Sequence, residues 1–174
     1  MHIPTNHPGC SLRPWTNEDK LDLVHNANNR KVWRNLTDMF PHPYTEADAD
    51  FWINLANQAA PSIHLAIDLD GVAVGGIGII AGQGIARYTG QFGYWLGEAH
   101  WSKGIATAAA HAMCARAFSG SLFERLEAQV FAWNPASMRV LEKTGFVREG
   151  VHKRGVFKDG QFTDGVMYAL VKTA

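Results

Sequence analysis

The chain has 174 residues, 47% hydrophobic and 18% charged, which fits one domain able to bury a core and excludes a disordered chain. Lys plus Arg equals Asp plus Glu at 16 each, so net charge gives no case for DNA or RNA as the main ligand. Cys10 and Cys114 lie far apart, and none of the eight histidines makes an H-x-x-x-H or H-E-x-x-H spacing, which argues against a disulfide framework and a metal site.

Residues 1–10 have neither a basic n-region nor an apolar h-region, so no secretory signal is visible. The longest apolar run, 72–81, is too short and glycine-rich to span a bilayer. A cytoplasmic chain without a membrane partner is the expectation.

Residues 11–15 read as a short strand. Thr16 then caps a helix, with Asp19 at N3 and Leu21, Val24 and Ala27 at helical spacing up to Asn28 and Asn29. Pro41 and Pro43 make 36–44 a rigid loop. Thr45 caps the next helix, with Glu46 and Asp48 in its first turn and Phe51, Leu55 and Ala59 as its apolar stripe.

Residues 62–68 alternate as a strand, Asp70-Gly71 is a hairpin turn, and 72–81 is the returning strand. Another strand covers 87–96. Seven of the fourteen residues from Ile105 to Phe118 are alanine, which dictates a helix and lets it lie close on a sheet. Cys114 within it reads as a small core residue. Residues 125–132 form a strand, and a helix runs from Asn134-Pro135 to a left-handed cap at Gly145. A terminal strand pair covers 146–153 and 162–171, with a turn near Lys158-Asp159-Gly160. No repeat or linker divides the chain, so 1–174 is read as one domain.

Two segments carry chemistry. Trp101-Ser102-Lys103-Gly104-Ile105-Ala106 joins a strand to the alanine-rich helix. A helix start presents unpaired N–H groups and a positive dipole end, and Gly104 and Ala106 leave that backbone open to a diphosphate. The second segment is Asn134 to Phe146, in which helical spacing puts Asn134, Ser137 and Leu141 on one face. Asn134 as N-cap, Pro135 at N1 and Gly145 as C-cap are also ordinary helix grammar; it is the two segments together, in this order, that are distinctive. Gly76-Ile77-Gly78-Ile79-Ile80-Ala81 fits the dinucleotide pattern, but Gly82-Gln83-Gly84 follows where that fold needs a helix.

With these segments the chain resembles the GNAT acyltransferases, and among them the Rim-type group that acetylates protein N-termini. The glycine loop resembles the family's [Q/R]-x-x-G-x-[G/A] motif, and the later helix resembles the group's N-x-x-S helix ending in E-K-x-G-F. Phe92-Gly93-Tyr94-Trp95-Leu96-Gly97 resembles the strand before the loop, and 40–52 the group's proline-containing loop and helix. The resemblance implies an α/β (α+β) GNAT fold: a mixed, mainly antiparallel sheet with splayed central parallel strands, 87–96 and 125–132, flanked by helices. It implies acetyl-CoA as co-substrate; the missing histidine spacings already argue against a metal. Trp101, Ser102, Lys103, Gly104, Ile105 and Ala106 would hold the diphosphate, Asn134 the pantetheine arm, and Lys103 and Arg139 would assist near phosphate.

Several positions depart from the pattern. Trp101 replaces the usual Gln or Arg, and backbone binding survives that change. Leu141 stands where the family has a tyrosine acid, which leaves Ser137 as the donor to the departing thiolate. Gln91 and Val156 stand where related enzymes carry glutamates, so the base is unassigned; water relayed to Asp38, Glu98 or Asp164 is one route.

The reading is an N-acyltransferase that moves an acetyl group from acetyl-CoA to a primary amine, either a protein N-terminus or a small amine. A backbone N–H near Leu96 would polarise the carbonyl. Trp33, Phe40 and Tyr44, with the turn after Lys153, would form an aromatic acceptor site, better suited to a peptide N-terminus or small apolar amine than to a polycation. The alternative is a non-catalytic acyl-CoA-binding module. Neither reading fixes the oligomeric state, and a homodimer stays open.

Overall fold

The computed structural model describes residues 2–58, 60–120 and 122–173. In chain order the elements are β1 (Ile3–Pro4), β2 (Cys10–Arg13), α1 (Lys20–Ala27), α2 (Arg30–Trp33), α3 (Glu46–Ala56), β3 (Ile63–Leu69), β4 (Val72–Ala81), β5 (Thr89–Leu96), α4 (Ile105–Phe118), β6 (Arg125–Phe131), α5 (Pro135–Lys143), β7 (Val147–Lys158) and β8 (Gln161–Val171). The strands form one sheet in the order β1-β2-β3-β4-β5-β6-β8-β7. Every neighbouring pair is antiparallel except β5–β6, which is parallel. Parallel neighbours need a long crossover, and α4 supplies it. The expected mixed, mainly antiparallel sheet flanked by helices is the one observed.

Strand alternation feeds two cores. Leu65, Ile67, Phe92 and Leu96 pack with the α4 residues Ala109, Ala110, Met113 and Ala117. Ala66, Ala73 and the half-buried Trp95 pack with Leu23 and Ala27 of α1 and Ala49, Ile53 and Ala56 of α3. The alanines of α4 bring its backbone close to the sheet, as their size predicts, and Cys114 is buried among them. Burial pushes the Cys114 thiol up to about 12, so it behaves as a small apolar group.

Local signals explain the turns. Asp70 and Gly71 have φ of 53° and 90°, and Asp159 and Gly160 have 53° and 76°. Positive φ at both central residues makes a type I′ hairpin turn, for which Asp-Gly is well suited. Thr45 accepts from Asp48 N while the Asp48 side chain accepts from Thr45 N, a complete capping box.

Four expectations change. The first strand is shifted to Cys10–Arg13 and is preceded by the two-residue β1. The Thr16 capping box forms, but it opens a 3₁₀ turn, Asn17–Asp19, that leads into α1. The stripe on α3 faces the wrong way: Phe51 and Leu55 are 68% and 46% exposed, and the helix buries Ala49, Ile53 and Ala56 instead. Small side chains let α3 approach Trp15 and Tyr44, so close packing outweighs the larger apolar residues. Ala59 lies outside the described residues. Finally, β7 continues to Lys158, with register shifts at Arg148/Gly150 and His152/Val156. Val156, placed in a loop by the shorter strand, is paired with Thr163.

No helix among the described residues is long and apolar enough to cross a membrane.

Candidate active site

The parallel strands pair only at their N-terminal ends. Thr89, Gly90 and Gln91 lie opposite Arg125, Leu126 and Glu127, and beyond that rung the ladder stops. The polarity of the open edge follows from the other side of β5. Gly82 N–H donates to Thr89 O, and Gly97 N–H donates to Val74 O, so odd-numbered residues point their backbone groups at β4. Even-numbered residues therefore face β6. Past the fork, the backbone groups of Phe92, Tyr94 and Leu96 line a cleft. The Leu96 carbonyl is already occupied, since Trp101 Nε1 donates to it at 2.7 Å. Its N–H is left aimed into the cleft.

The loop at the top of β5 is bent by two left-handed residues, Ser102 at φ 60° and Gly104 at φ 84°. Gly104 is the N-cap of α4, and no side chain among the described residues caps that helix. The first N–H of the helix to find a partner is Ala108, on Gly104 O at 3.0 Å. The N–H groups of Ile105, Ala106 and Thr107 precede it and remain for a ligand. A Cβ on Gly104 would meet nothing closer than His7 Cδ2 at 3.9 Å, so the approach is open. Trp101, Ser102, Lys103 and Gly104 are all exposed, whereas Ile105 is buried and can offer only its backbone. Two contacts that the sequence did not reveal hold the loop: the Trp101 bond to β5, and His7 Nε2, 3.1 Å from Lys103 O.

On the far side of the cleft, Asn134 Oδ1 accepts from Ser137 N–H at 3.2 Å and caps α5. The helix ends in a Schellman motif, with Phe146 N–H on Leu141 O and Gly145 N–H on Glu142 O. Both Leu141 and Phe146 are buried in the core. Leu141 thus faces inward and does not line the cleft with Ser137 as the shared helix face predicted. Ser137 Oγ lies 2.8 Å from the hydroxyl of Tyr94 on β5. Tyr94 was legible only as part of the strand string; the pairing spans 43 residues and no local signal marks it. Burial pushes the Tyr94 phenol up to about 12, with the Ser137 bond pulling it down. Arg139 is exposed and stands about 200° round the helix from Ser137, so the fold does not bring these two together.

The acceptor residues separate. Phe40 packs edge-on against Trp95, 5.4 Å between centroids, on the sheet face opposite Tyr94. Trp33 stacks with His42 at 5.5 Å and carries Lys158 Nζ over its ring at 3.8 Å. Tyr44, by contrast, is 4% exposed within the second core and supports Phe40 from behind. It was expected to line the site, but burial excludes that. Trp133, which the sequence reading left out, donates to Asn35 Oδ1 at 3.2 Å beneath the Arg34 guanidinium.

The three carboxylates considered as bases are all engaged. Asp38 holds Lys158 at 2.7 Å, Glu98 is bonded to Lys31 and Asn29, and Asp164 accepts from Lys153 and from Arg154 N–H. The Lys31 bond holds Glu98 below the usual carboxylate range, and the Arg154 N–H does the same for Asp164. Neither is suited to collect a proton near neutrality. Glu127, ion-paired to Arg125 at 3.7 Å, is the carboxylate on the last paired rung, opposite Gln91. Leu126, Ala128 and Val130 point to the α4 core, which puts Glu127 on the Trp95 face. Among the described residues no group of three His, Cys, Asp or Glu could hold a metal ion.

A family model described as Acetyltransferase (GNAT) domain matches residues 10–147. The chain belongs to the GNAT acetyltransferase family. A curated relative, the probable N-acetyltransferase YjcK of Bacillus subtilis, is 44% identical over 69 residues, which is 40% of this chain and 38% of that protein. The chain thus matches well under two thirds of that relative's length. Among solved structures, RimL, a ribosomal L7/L12 alpha-N-protein acetyltransferase in complex with coenzyme A, superposes with TM-score 0.86 at 20% identity over 98% of both chains. Mycobacterium smegmatis RimJ, in complex with CoA-disulfide, gives TM-score 0.83 at 24% identity, covering 98% of this chain and 86% of its own. At those identities the likeness speaks for the shared fold.

Proposed function

We propose that the chain is an acetyl-CoA-dependent N-acetyltransferase acting on a primary amine, with a peptide N-terminus as the favoured acceptor. The observation that carries this reading is the cleft where β5 and β6 part, open between the uncapped start of α4 and the Ser137 hydroxyl. The coenzyme fits those residues. Its diphosphate would take the N–H groups of Ile105, Ala106 and Thr107, with Lys103 as a nearby cation. Asn134 uses its oxygen on its own helix, so its amide nitrogen is left as a donor to pantetheine.

Leu96 N–H would stabilise charge on the thioester oxygen as the amine adds, an effect worth about 10²–10³-fold in rate where such a donor has been removed. The amine nitrogen bonds to the carbonyl carbon, the C–S bond breaks, and the sulfur departs with the electron pair. Ser137 Oγ–H donates to that sulfur. The proton lost by the amine passes to water on the Trp95 face, where Glu127 is the carboxylate at the root of the cleft. Holding amine and thioester together supplies most of the acceleration.

The acceptor face supports a peptide N-terminus over a polycation. Its walls are Trp33, Phe40, Trp95 and Trp133, and Asp38, Glu98 and Asp164 are tied to cations of the chain itself. RimL, by its name, acts on a protein α-amine. The test is thiol release from acetyl-CoA with a panel of peptides, small apolar amines and aminoglycosides. Fastest turnover on peptides is expected. Tight acetyl-CoA binding without turnover on any amine would favour the non-catalytic acyl-CoA-binding module, and fastest turnover on aminoglycosides would overturn the acceptor assignment.

A further inference from the structure

We infer that Tyr94 is a positioning residue for the leaving-group side of the reaction: its hydroxyl releases and aims the Ser137 hydrogen toward the departing sulfur. The inference rests on the proposed role of Ser137 as donor.

Tyr94 Oη lies 2.8 Å from Ser137 Oγ and 3.3 Å from the Ser137 carbonyl oxygen. Each hydroxyl has one hydrogen and can also accept. Two arrangements therefore satisfy the same heavy atoms. In the first, Ser137 donates to Tyr94 and Tyr94 donates to the Ser137 carbonyl. In the second, Tyr94 donates to Ser137 Oγ, and the serine hydrogen is free for a third group. Switching between them turns two O–H rotors and moves no heavy atom. Negative charge developing on sulfur in the cleft selects the second arrangement, because a donor to an ionised acceptor bonds more strongly than a donor to a neutral one.

The geometry also sets the order of donation. Tyr94 has no other hydrogen-bond partner among the described residues, so its hydrogen stays on Ser137 in either arrangement. A lone serine would have to give up its only bond to turn toward sulfur. With Tyr94 behind it, Ser137 Oγ keeps an accepted bond and gains polarisation along the chain of hydroxyls. Burial keeps the phenol protonated across the working range, pushing it up to about 12, so Tyr94 remains a donor while the thiol titrates. No charged side chain contributes to that shift; burial and Ser137 are its causes. The ordinary thiol range lies near 8.5, well below the phenol, so the pair stabilises the thiolate by donation without handing it a proton outright. The sulfur leaves as a hydrogen-bonded thiolate and collects its proton later from solvent.

The test needs no acceptor and no turnover. Coenzyme A carries the thiol, and acetyl-CoA does not. The ratio of their dissociation constants, measured by calorimetry under reductant from about pH 6.5 to about pH 10, isolates the thiol, because groups that titrate alike in both complexes cancel. If the pair stabilises thiolate, coenzyme A binds progressively tighter relative to acetyl-CoA as pH rises through the thiol range. For a bound thiol lowered by about one unit, the gain is about tenfold. Tyr94→Phe should reduce that gain to about threefold or less, with acetyl-CoA affinity unchanged. Ser137→Ala should abolish it, and Tyr94→Phe should then add nothing. If Ser137→Ala abolishes the gain while Tyr94→Phe keeps all of it, Ser137 stands as the donor and the role of Tyr94 is lost. A flat wild-type ratio, or a gain that survives Ser137→Ala, overturns the donor role and this inference together. Equal weakening of both ligands in Tyr94→Phe would make the residue merely structural and also overturn it.

Discussion

Ser137 and Gly104 carry opposite kinds of dependence on the coenzyme. Ser137 Oγ caps nothing in its own helix, because Asn134 does that, and its partner is Tyr94 across the cleft. Ser137→Ala should therefore lower turnover by about 10–100-fold, at or below the lower end of the range for acid–base help, because the thiolate is already a tolerable leaving group. Acetyl-CoA affinity should stay within about twofold. Steady-state kinetics beside calorimetry check this; unchanged turnover with chemistry rate-limiting would exclude Ser137 as donor. Gly104 should show the reverse. Its φ of 84° strains any side chain, so Gly104→Ala and Gly104→Val should both lose about 1 kcal/mol of stability or somewhat more. Valine also places two methyl groups where the diphosphate would lie, and coenzyme A affinity should fall more than about tenfold below that of the alanine variant. Equal affinities in the two folded variants would remove the loop from the site.

The elements differ in how far their sequence declares them. The alanine run of α4, the Asn134-Pro135 start and Gly145 end of α5, and the two Asp-Gly turns are local devices, and each appears where local chemistry puts it. The separation of β5 and β6 was legible through the resemblance and the crossover rule, and the register ends at Gln91↔Glu127 accordingly. What depends on distant partners was not legible. The buried face of α3 is chosen by Trp15 and Tyr44, which no helical period can announce. Lys158 reads as a turn residue but is buried, its ammonium between Asp38 and the Trp33 ring. That contact fastens the end of β7 to the 36–44 loop, with Arg30 bound to Asp159 beside it. The proposed acceptor face would thus be made from elements remote in sequence from the proposed coenzyme loop. Phe40→Ala should change the ranking of amine acceptors and leave coenzyme A affinity within about twofold. The opposite pattern would mean that the two half-sites have been assigned the wrong way round.

At the scale of the whole molecule, a largely buried ionic group ties β2 and β3 to the turn that leads into α1. Arg13 on β2 donates to Asp19 at 2.7 and 2.8 Å and to Asp68 of β3 at 2.7 Å. Burial alone would raise the Asp19 carboxyl, but its bonds from Arg13 and Thr16 N–H outweigh that and hold it below the usual range. A carboxyl depressed on folding adds stability that is complete above its unfolded value, near 3.9, and disappears as pH falls through the lower folded value. Asp19→Asn should accordingly cost about 2 kcal/mol at neutral pH, and the gap from wild type should close below about pH 4. Urea titrations at several pH values would show it; a gap independent of pH would mean that the charge contributes nothing. This group lies apart from the cleft, so the loss should leave coenzyme affinity intact in the folded fraction.

A crystal structure of the acetyl-CoA complex tests the role of the cleft most directly. The diphosphate should lie on the N–H groups of Ile105, Ala106 and Thr107, the thioester oxygen on Leu96 N–H, and the sulfur within hydrogen-bond reach of Ser137 Oγ. A coenzyme bound with its diphosphate away from the 101–106 loop, or with its thioester outside the fork between β5 and β6, would contradict it.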